Sequence, residues 1–492
     1  MAENKDPKPT SAEHVEDMDN VKLEAAQDLS TNQRRATVAM NSLVVRKQYD
    51  IRVLPLVWVL FIISYLDRGN IGNAKTAGAQ SDLGLNSTQW SWVLLSFYIT
   101  YTCLEWLVLC WKIFPAHIYV SVLCFLWGIS AVFSGLVHNY AGLIACRVAL
   151  AIVEAGFGAG VPYYLSLCYK RHELGTRLSI LLGSSPIANC IAGAMAYGIS
   201  QIHSKVAPWR LIFIIEGAPS ILMVLPVWFF LMDSPSTAKF LTEEERTFAV
   251  ERMETRDTTG KSTLSKRQLL AGLADYKNYC HACLHFCCNY SFASLSNFLP
   301  TIIAGMGYSS VNAQGLTAPP YLAAFLSSIL VAWISDRYGS RGWLLALSAT
   351  VGAIGYALLA TQSGVAVRYV AIWLASCGVF PALAINMAWM LNNNAGETKK
   401  GIGMSILSII GQCSSFLASF VFPDSDAPYF ITGTAIGCGL TGLIIPTALV
   451  LHFRYAAENR RKDREFGQVQ PDLAPIDVSD IGDKHNQFRL LT

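Results

Sequence analysis

The sequence predicts an all-α integral membrane protein of twelve transmembrane helices arranged as two six-helix bundles. Three observations predict it. Of 492 residues, 53% are hydrophobic and only 14% are charged, which excludes an ordinary soluble domain. Apolar stretches of about twenty residues, the length that crosses a bilayer as a helix, recur from Val53 onward. A polar stretch from Met232 to about Asp275 then divides the spans into six and six.

Taken in order, residues 1–50 are polar and mixed in charge and lack the apolar core of a cleavable leader. They read as a disordered tail that stays in the compartment of synthesis. The first bundle, 51–231, holds spans near 53–76, 88–111, 116–137, 139–169, 177–202 and 209–231. Within it "GFGAG" (156–160) and "GSSPIANCIAGAMAYG" (183–198) supply the small residues that let helices pack closely in lipid. Gly156, Gly158 and Gly160 miss the dinucleotide-loop spacing and follow no strand. The connecting segment, 232–275, contains "LTEEERTFAVERM", where Thr242 three residues ahead of Glu245 has capping-box spacing and predicts an amphipathic helix. The second bundle, 276–453, holds spans near 276–304, 313–334, 342–361, 367–391, 401–422 and 428–453, and 454–492 forms a second polar tail.

Cations set the expected orientation. Arg34, Arg35, Arg46, Lys47 and Arg52, then Lys112, then Lys170 and Arg171, the middle segment, Arg337 and Arg341, Lys399 and Lys400, and Arg454 to Arg464 alternate with loops holding only Lys205, Arg210 and Arg368. Both termini and the middle segment are therefore expected in the cytosol. The sequon Asn86-Ser87-Thr88 then falls in the first outward loop, too near the membrane to be expected to carry a glycan. The net charge of +3, with cations clustered beside the spans, gives no reason to expect a nucleic-acid partner. Most of the thirteen cysteines sit inside apolar runs, where they act as small hydrophobes. There is no HExxH, GxSxG or P-loop, so no enzyme and no ATP-driven pump is expected, and the energy source implied is an ion gradient with no cofactor.

Four ionisable residues interrupt the apolar runs: Asp67 and Arg68 in "SYLDRGNIGNAK", and Arg147 and Glu154 in "CRVALAIVEAGFG". A charge at that depth needs a partner, a polar cavity or a change of protonation. Seven residues at about 100° each bring Arg147 and Glu154 onto one helix face, about 10 Å apart. Two readings follow. In one, these are structural ion pairs that hold the first and fourth spans together. In the other they form a substrate and proton site, since a carboxylate withdrawn from water exchanges a proton more readily near neutrality while arginine stays charged and matches an anion. Asp67, at the end of its run, is also placed to pair with Arg68 or to cap a helix end.

The seventh span, "YCHACLHFCCNYSFASLSNFLPTII", carries His281, His285 and Asn289 at intervals of four, one polar stripe expected to face a central cavity, with Tyr290 beside it. Its cysteines are spread around the helix, which argues against a metal site. Asn297, Asn386 and Gln412 are further cavity candidates.

The stretches "YLDRGNIGNAKTAG" (65–78), "CRVALAIVEAGFGAGVPYYLS" (146–166), "MDSPSTAKFLTEEER" (232–246), "FLPTII" (298–303), "APPYL" (318–322) and "NNNAGETKK" (392–400) together resemble the major facilitator superfamily. Within it the resemblance is to fungal allantoate/nicotinate-type permeases of the anion:cation symporter family, over roughly residues 45 to 460. "AWISDRYGSRGW" is similar to the superfamily's Gly-x3-Asp-Arg-x-Gly-x-Arg loop through Asp336, Arg337, Gly339 and Arg341, with Ala332 and Ser340 as departures. The resemblance implies that Asp336, Arg337 and Arg341 form a conformational latch. It also implies that Arg147 binds a small organic anion, that Asp67 and Glu154 take up protons, and that Arg68 holds Asp67 when it is ionised. The Glu-x-Pro-Ser-Asn stretch of many members is replaced here by "LEWLVLCWKIFPAHIYV", where Glu105 alone remains.

These readings converge on a proton-coupled importer of a carboxylate, ureide or organosulfur anion. Arg147, Arg68, His285, Asn289 and Tyr290 are its expected substrate contacts, and the resemblance implies a monomer in the plasma membrane. Two alternatives stand beside it. A proton-antiport exporter would carry a Gly-x-x-x-Gly-Pro-x-x-Gly-Gly run on the fifth span, where Gly183, Pro186 and Gly193 do not fit. A membrane sensor that binds without transport would carry a larger cytosolic domain than the tails here provide.

Overall fold

The computed structural model describes residues 42–467 and 488–492, apart from 159, 170–172, 174–176, 178–179, 182, 255–265, 362–363 and 395–396. The tail expected over 1–50 therefore lies almost wholly outside the described residues, as do Lys170 and Arg171.

Local sequence sets most helix ends. A helix over 42–52 leads into α1 (Leu54–Thr76), which has proline in its first turn, where no amide donor is needed. Asn86 caps α2 (Ser87–Cys103): its side chain accepts from the Gln89 amide at 2.7 Å while Gln89 reaches back to the Asn86 amide. The sequon asparagine is thus engaged in a capping box. The remaining helices of the first half are α3 (Ala116–Ser134), α4 (Tyr140–Gly158 and Gly160–Cys168, on either side of residue 159), α5 (Ser184–Ser200) and α6 (Pro208–Leu222, resuming as Val224–Phe230). The second half holds α7 (Tyr276–Ala304), α8 (Ala318–Tyr338), α9 (Gly342–Ala360), α10 (Val365–Asn393), α11 (Glu397–Ala418) and α12 (Ile431–Phe466). Gly339 ends α8 at φ 65°, the left-handed conformation that glycine adopts without strain.

Each expected span has its helix, and nine of the described helices are long and apolar enough to cross a bilayer by themselves. Helix α7 falls short of that standard because its buried face carries Asn278, His281, His285, Asn289 and Asn297, of which the four other than His285 hydrogen-bond to protein. Helix α2 differs from its expected extent: after Cys103 the chain tightens into a 3-10 helix, Glu105–Lys112. That winding carries the Trp111 indole onto α4, where it donates to the Gly156 carbonyl at 2.7 Å and lies where a side chain on Gly160 would stand. The "GFGAG" glycines are packing residues.

Between the halves, the linker helix Glu243–Glu254 starts at the predicted capping box, with the Glu245 amide donating to Thr242 Oγ1 and the Thr242 amide to Glu245. Ala249 and Phe248 pack it onto the first half. Asp233 accepts from His117 at the start of α3, and Tyr164 donates to the Met232 carbonyl, so "MDSPS" is bound to the same half. At this linker end of the second half, residues 488–492 lie across α10 and α12. Trp389 and Asn393 donate to the Leu491 carbonyl, Asn459 exchanges two hydrogen bonds with Leu490, Arg489 pairs with Asp463, and the Arg341 amide donates to Thr492.

The described hydrogen bonds that join the two halves lie at mid-height and at the far end, away from the linker. Asn297 donates to the Tyr98 hydroxyl, Asn189 to Ser296, and Gln314 to the Asn73 carbonyl. At the far end Asp424 accepts from Lys75 at 2.9 Å, Gln80 at 2.7 Å and Ser87. Glycine permits the closest approach: a Cβ on Gly72 of α1 would stand 2.5 Å from the Asn297 carbonyl oxygen of α7. Replacing Gly72 with valine is therefore expected to cost about 1–3 kcal/mol, the usual penalty of overpacking. It should lower the melting temperature of the solubilised protein, whereas Gly198→Ala, where the added methyl meets nothing within 4 Å, should leave it unchanged.

Burial opposes ionisation of Asp424, but its hydrogen bonds from Ser87, Lys75 and Gln80 outweigh that effect and hold the carboxyl below its ordinary range. A depressed carboxyl favours the joined state above its ordinary titration range, and that contribution is lost as pH falls through the held-down value. Spin-label distances across the far end should widen on acidification, and Asp424→Asn should give the wider distance at every pH.

Candidate functional site

The charged residues singled out by the sequence come together inside the first half. Asp67, Arg147 and Glu154 are each no more than 2% exposed, so all three are withheld from bulk water. Helix α1 supplies Asp67 and Arg68, α4 supplies Arg147 and Glu154, and α6 closes the group from the side.

The pairing differs from the one implied by the family resemblance. Arg68 reaches across to α4 and donates to Glu154 Oε2 through Nε at 3.2 Å and Nη2 at 3.0 Å. Asp67, its neighbour in sequence, points away from it and accepts from Ser220 of α6 at 2.6 Å. Consecutive residues on a helix are about 100° apart, so one side chain cannot readily serve the other. Arg68 thus holds Glu154, not Asp67. Its guanidinium is surrounded by aromatic rings, 4.9 Å from the centroid of Tyr101, 5.2 Å from Phe97 and 5.4 Å from Tyr65. Such faces attract a cation while shielding it from water.

Arg147 shares a helix face with Glu154, as the seven-residue spacing requires, but forms no ion pair with it. Its Nε and Nη2 have no hydrogen-bond partner, and its guanidinium lies 5.7 Å from the Phe213 ring of α6. The second carboxylate oxygen of Glu154 and one oxygen of Asp67 are likewise without a partner. A buried cation with open donors, beside acids with open acceptors, can bind an anion and exchange protons. The structural-pair reading is met in part, since Arg68–Glu154 does join α1 to α4.

The polar stripe of α7 takes another course. His281 bonds to Asn386 of α10 and to the Tyr455 hydroxyl of α12. Asn289 donates to the Gly411 carbonyl and to Ser414 and Ser415 of α11, and His285 lies against Gly411. Tyr290 donates to the Gly433 carbonyl of α12. The stripe is turned into the second half, where His281 and Asn289 are satisfied between helices while His285 Nδ1 has no partner, and it does not join Arg147. Asn297 alone among the α7 candidates crosses to the first half. At the linker end Arg341 donates to Asp336 at 3.1 Å, and Arg337 lies 5.6 Å from the Trp333 ring of its own helix.

A further buried acid of the first half goes unmarked among the predicted site residues. Glu216, in "LIFIIEGAPSIL", is completely buried and neither of its carboxylate oxygens has a partner. The signal was a lone carboxylate in an apolar run, without the paired residue that made Arg147 and Glu154 conspicuous. Tyr65, Phe97 and Tyr101 carried no such signal, because aromatic residues are common on every face of a membrane helix.

Comparison with known proteins agrees with this architecture. The model of the Major Facilitator Superfamily matches residues 57–419. The transporter prlL of a fungal species (strain NRRL 50135) is 32% identical over 436 residues, 86% of this chain and 88% of that protein. The major facilitator-type transporter hxnP of Emericella nidulans is 31% identical over 433 residues, covering 86% and 87%. Among solved structures, a D-xylose-proton symporter superposes with a TM-score of 0.63 at 13% identity, over 81% of this chain and 97% of that one. A bacterial homologue of the human lysosomal transporter Spinster gives 0.61 at 15% identity, over 81% and 93%. A family match over most of the length, relatives above 30% identity and a shared two-bundle fold mean that this chain belongs to the Major Facilitator Superfamily and is a multi-pass membrane transporter.

Proposed function

We propose that this transporter imports a small organic anion together with protons, as a member of the anion:cation symporter branch suggested by its sequence motifs. The observation that carries the reading is the Arg147 guanidinium, buried at 2% exposure with two of its nitrogens unpartnered. A buried cation in that state has an outstanding demand for an anion that only a ligand of opposite charge meets well.

Coupling follows from the pair beside it. While Glu154 is ionised it occupies Arg68. Protonation of Glu154 neutralises that partner and leaves Arg68 and Arg147 as two uncompensated guanidiniums, which draws in a carboxylate, ureide or organosulfur anion. Proton and anion therefore favour each other's binding, the thermodynamic requirement of symport. Rocking of one half against the other, with the Asp336–Arg341 latch at the linker end and the Asp424 cluster at the far end, exposes the site alternately. A proton gradient supplies the energy, without a cofactor. The linker end faces the cytosol in this reading, the protein acts as a monomer, and the plasma membrane is its site.

The test is uptake by cells expressing the protein, against labelled carboxylates, ureides and sulfonates, at acid and at neutral external pH. One anion is expected to accumulate faster at acid pH. Arg147→Ala should weaken its binding on the order of a hundredfold or more, as truncating one partner of a buried charge pair costs about 2–5 kcal/mol. Glu154→Gln should retain binding and lose the acceleration by acid. Efflux of a compound on expression, with no uptake, would sink the proposal in favour of an exporter.

A further inference from the structure

Glu216 is not needed by the reading above, yet it is the most isolated acid among the described residues of the interior. Three residues on α6 lie on one stripe at i, i+3 and i+7, namely Phe213, Glu216 and Ser220. The two flanking members already have partners in the site. Phe213 lies under the Arg147 guanidinium, and Ser220 donates to Asp67 Oδ2 at 2.6 Å. Glu216, between them, is directed at the same region, completely buried and with both oxygens unpartnered, while Asp67 Oδ1 is unpartnered as well.

The helices packed on α6 offer Glu216 no salt bridge. On α3, the surface beside it consists of Gly128, Ala131 and Val132, brought so near that a Cβ on Gly217 would lie 2.9 Å from Ala131 Cβ. The one residue of α3 that can carry a positive charge, His117, is at its start and is bound to Asp233, and the other titratable groups of α3, Tyr119 and Cys124, are neutral acids that offer Glu216 no counter-charge. Helix α5 carries no charged residue. Helix α1 contributes Asp67, a second acid, whereas Arg68 beside it is engaged by Glu154. From α4 the nearest cation is Arg147, and it forms no ion pair with Glu216. Two carboxylates held in a dry interior, neither of them in an ion pair with the nearby Arg147, resist ionising together, so a proton is favoured on the pair.

We propose that Glu216 is a proton-binding site, forming with Asp67 an acid pair that carries a proton through the transport cycle. The proposal rests on the proton-coupled reading above and adds to it a carrier on α6. The chemistry is a reversible O–H dissociation: Glu216–COOH gives Glu216–COO⁻, and the proton passes to the Asp67 carboxylate or to water when the linker end opens. Ser220 steadies Asp67 through a donated hydrogen bond, leaving its other oxygen to receive the proton.

Infrared difference spectroscopy of the full-length protein in lipid vesicles, titrated from acid to alkaline pH without substrate, tests this directly, the proton being the probe. The wild type is expected to show a protonated-carboxyl C=O band that shifts in D2O and disappears at alkaline pH. Glu216→Gln should remove that band. Asp67→Asn should leave it but move its titration, because the like charge beside it is gone, and Glu216→Asp should retain it at an altered frequency if the glutamine variant fails to fold. A band that persists unchanged at every pH would make Glu216 a permanently neutral structural acid and overturn the proposal, as would a band that survives Glu216→Gln intact. A titrating Glu216 band in a protein that shows no acid-driven uptake would instead overturn the symport reading, so the two failures are distinguishable.

Discussion

The bond between Arg68 and Glu154 governs the interior of the first half. A lone guanidinium or carboxylate at that depth would cost several kcal/mol, so each demands the other, and the pair fixes the distance and rotation of α1 against α4. Once α1 is set in that rotation, Asp67, one residue earlier, must face elsewhere, and it meets Ser220 of α6. Arg147, two turns from Glu154 on α4, is held against Phe213 without a counter-charge. One ion pair thus determines which charged groups remain uncompensated, and those are the groups able to respond to a ligand or a proton.

The remainder of the molecule divides polar bonding between two tasks. Inside the second half, His281, Asn289 and Tyr290 bond to α10, α11 and α12 and bind that half together. Between the halves, Asn297–Tyr98 and Asn189–Ser296 form joints at mid-height and the exposed Asp424 cluster forms another at the far end, with Gly72 letting α1 and α7 meet backbone to backbone. Of these bonds between the halves, those of the Asp424 cluster at the far end are the exposed ones, where water can replace each partner at small cost.

Hydropathy made the spans readable, and the polar stretch after Met232 the division of the chain, because a bilayer allows a helix few other ways to satisfy its backbone. The capping box at Thr242 and the close-packed "GFGAG" were equally legible, each being a local matter of spacing or size. Asp67, Arg147 and Glu154 stood out as charges in apolar surroundings. Their partners did not. Whether Arg68 serves Asp67 or Glu154 depends on how α1 is rotated against α4, a tertiary quantity that no spacing within one helix encodes. The same limit applies to the α7 stripe: four-residue intervals place His281, His285 and Asn289 on one face, but the face alone does not say which neighbour it meets.

The segment 488–492 has a mechanical meaning. Its bonds run to Trp389, Asn393, Asn459, Asp463 and the backbone of Arg341, all in the second half, so it ties the start of α9 to α10 and α12 as a single block. A block braced in that way behaves as a stiff lever arm: it tilts as a whole and does not bend along its length. Flexure during the cycle must then be taken up elsewhere, in the connection between the halves and in the broken helices of the first half, where α2 tightens at Glu105 and α6 is interrupted at Met223.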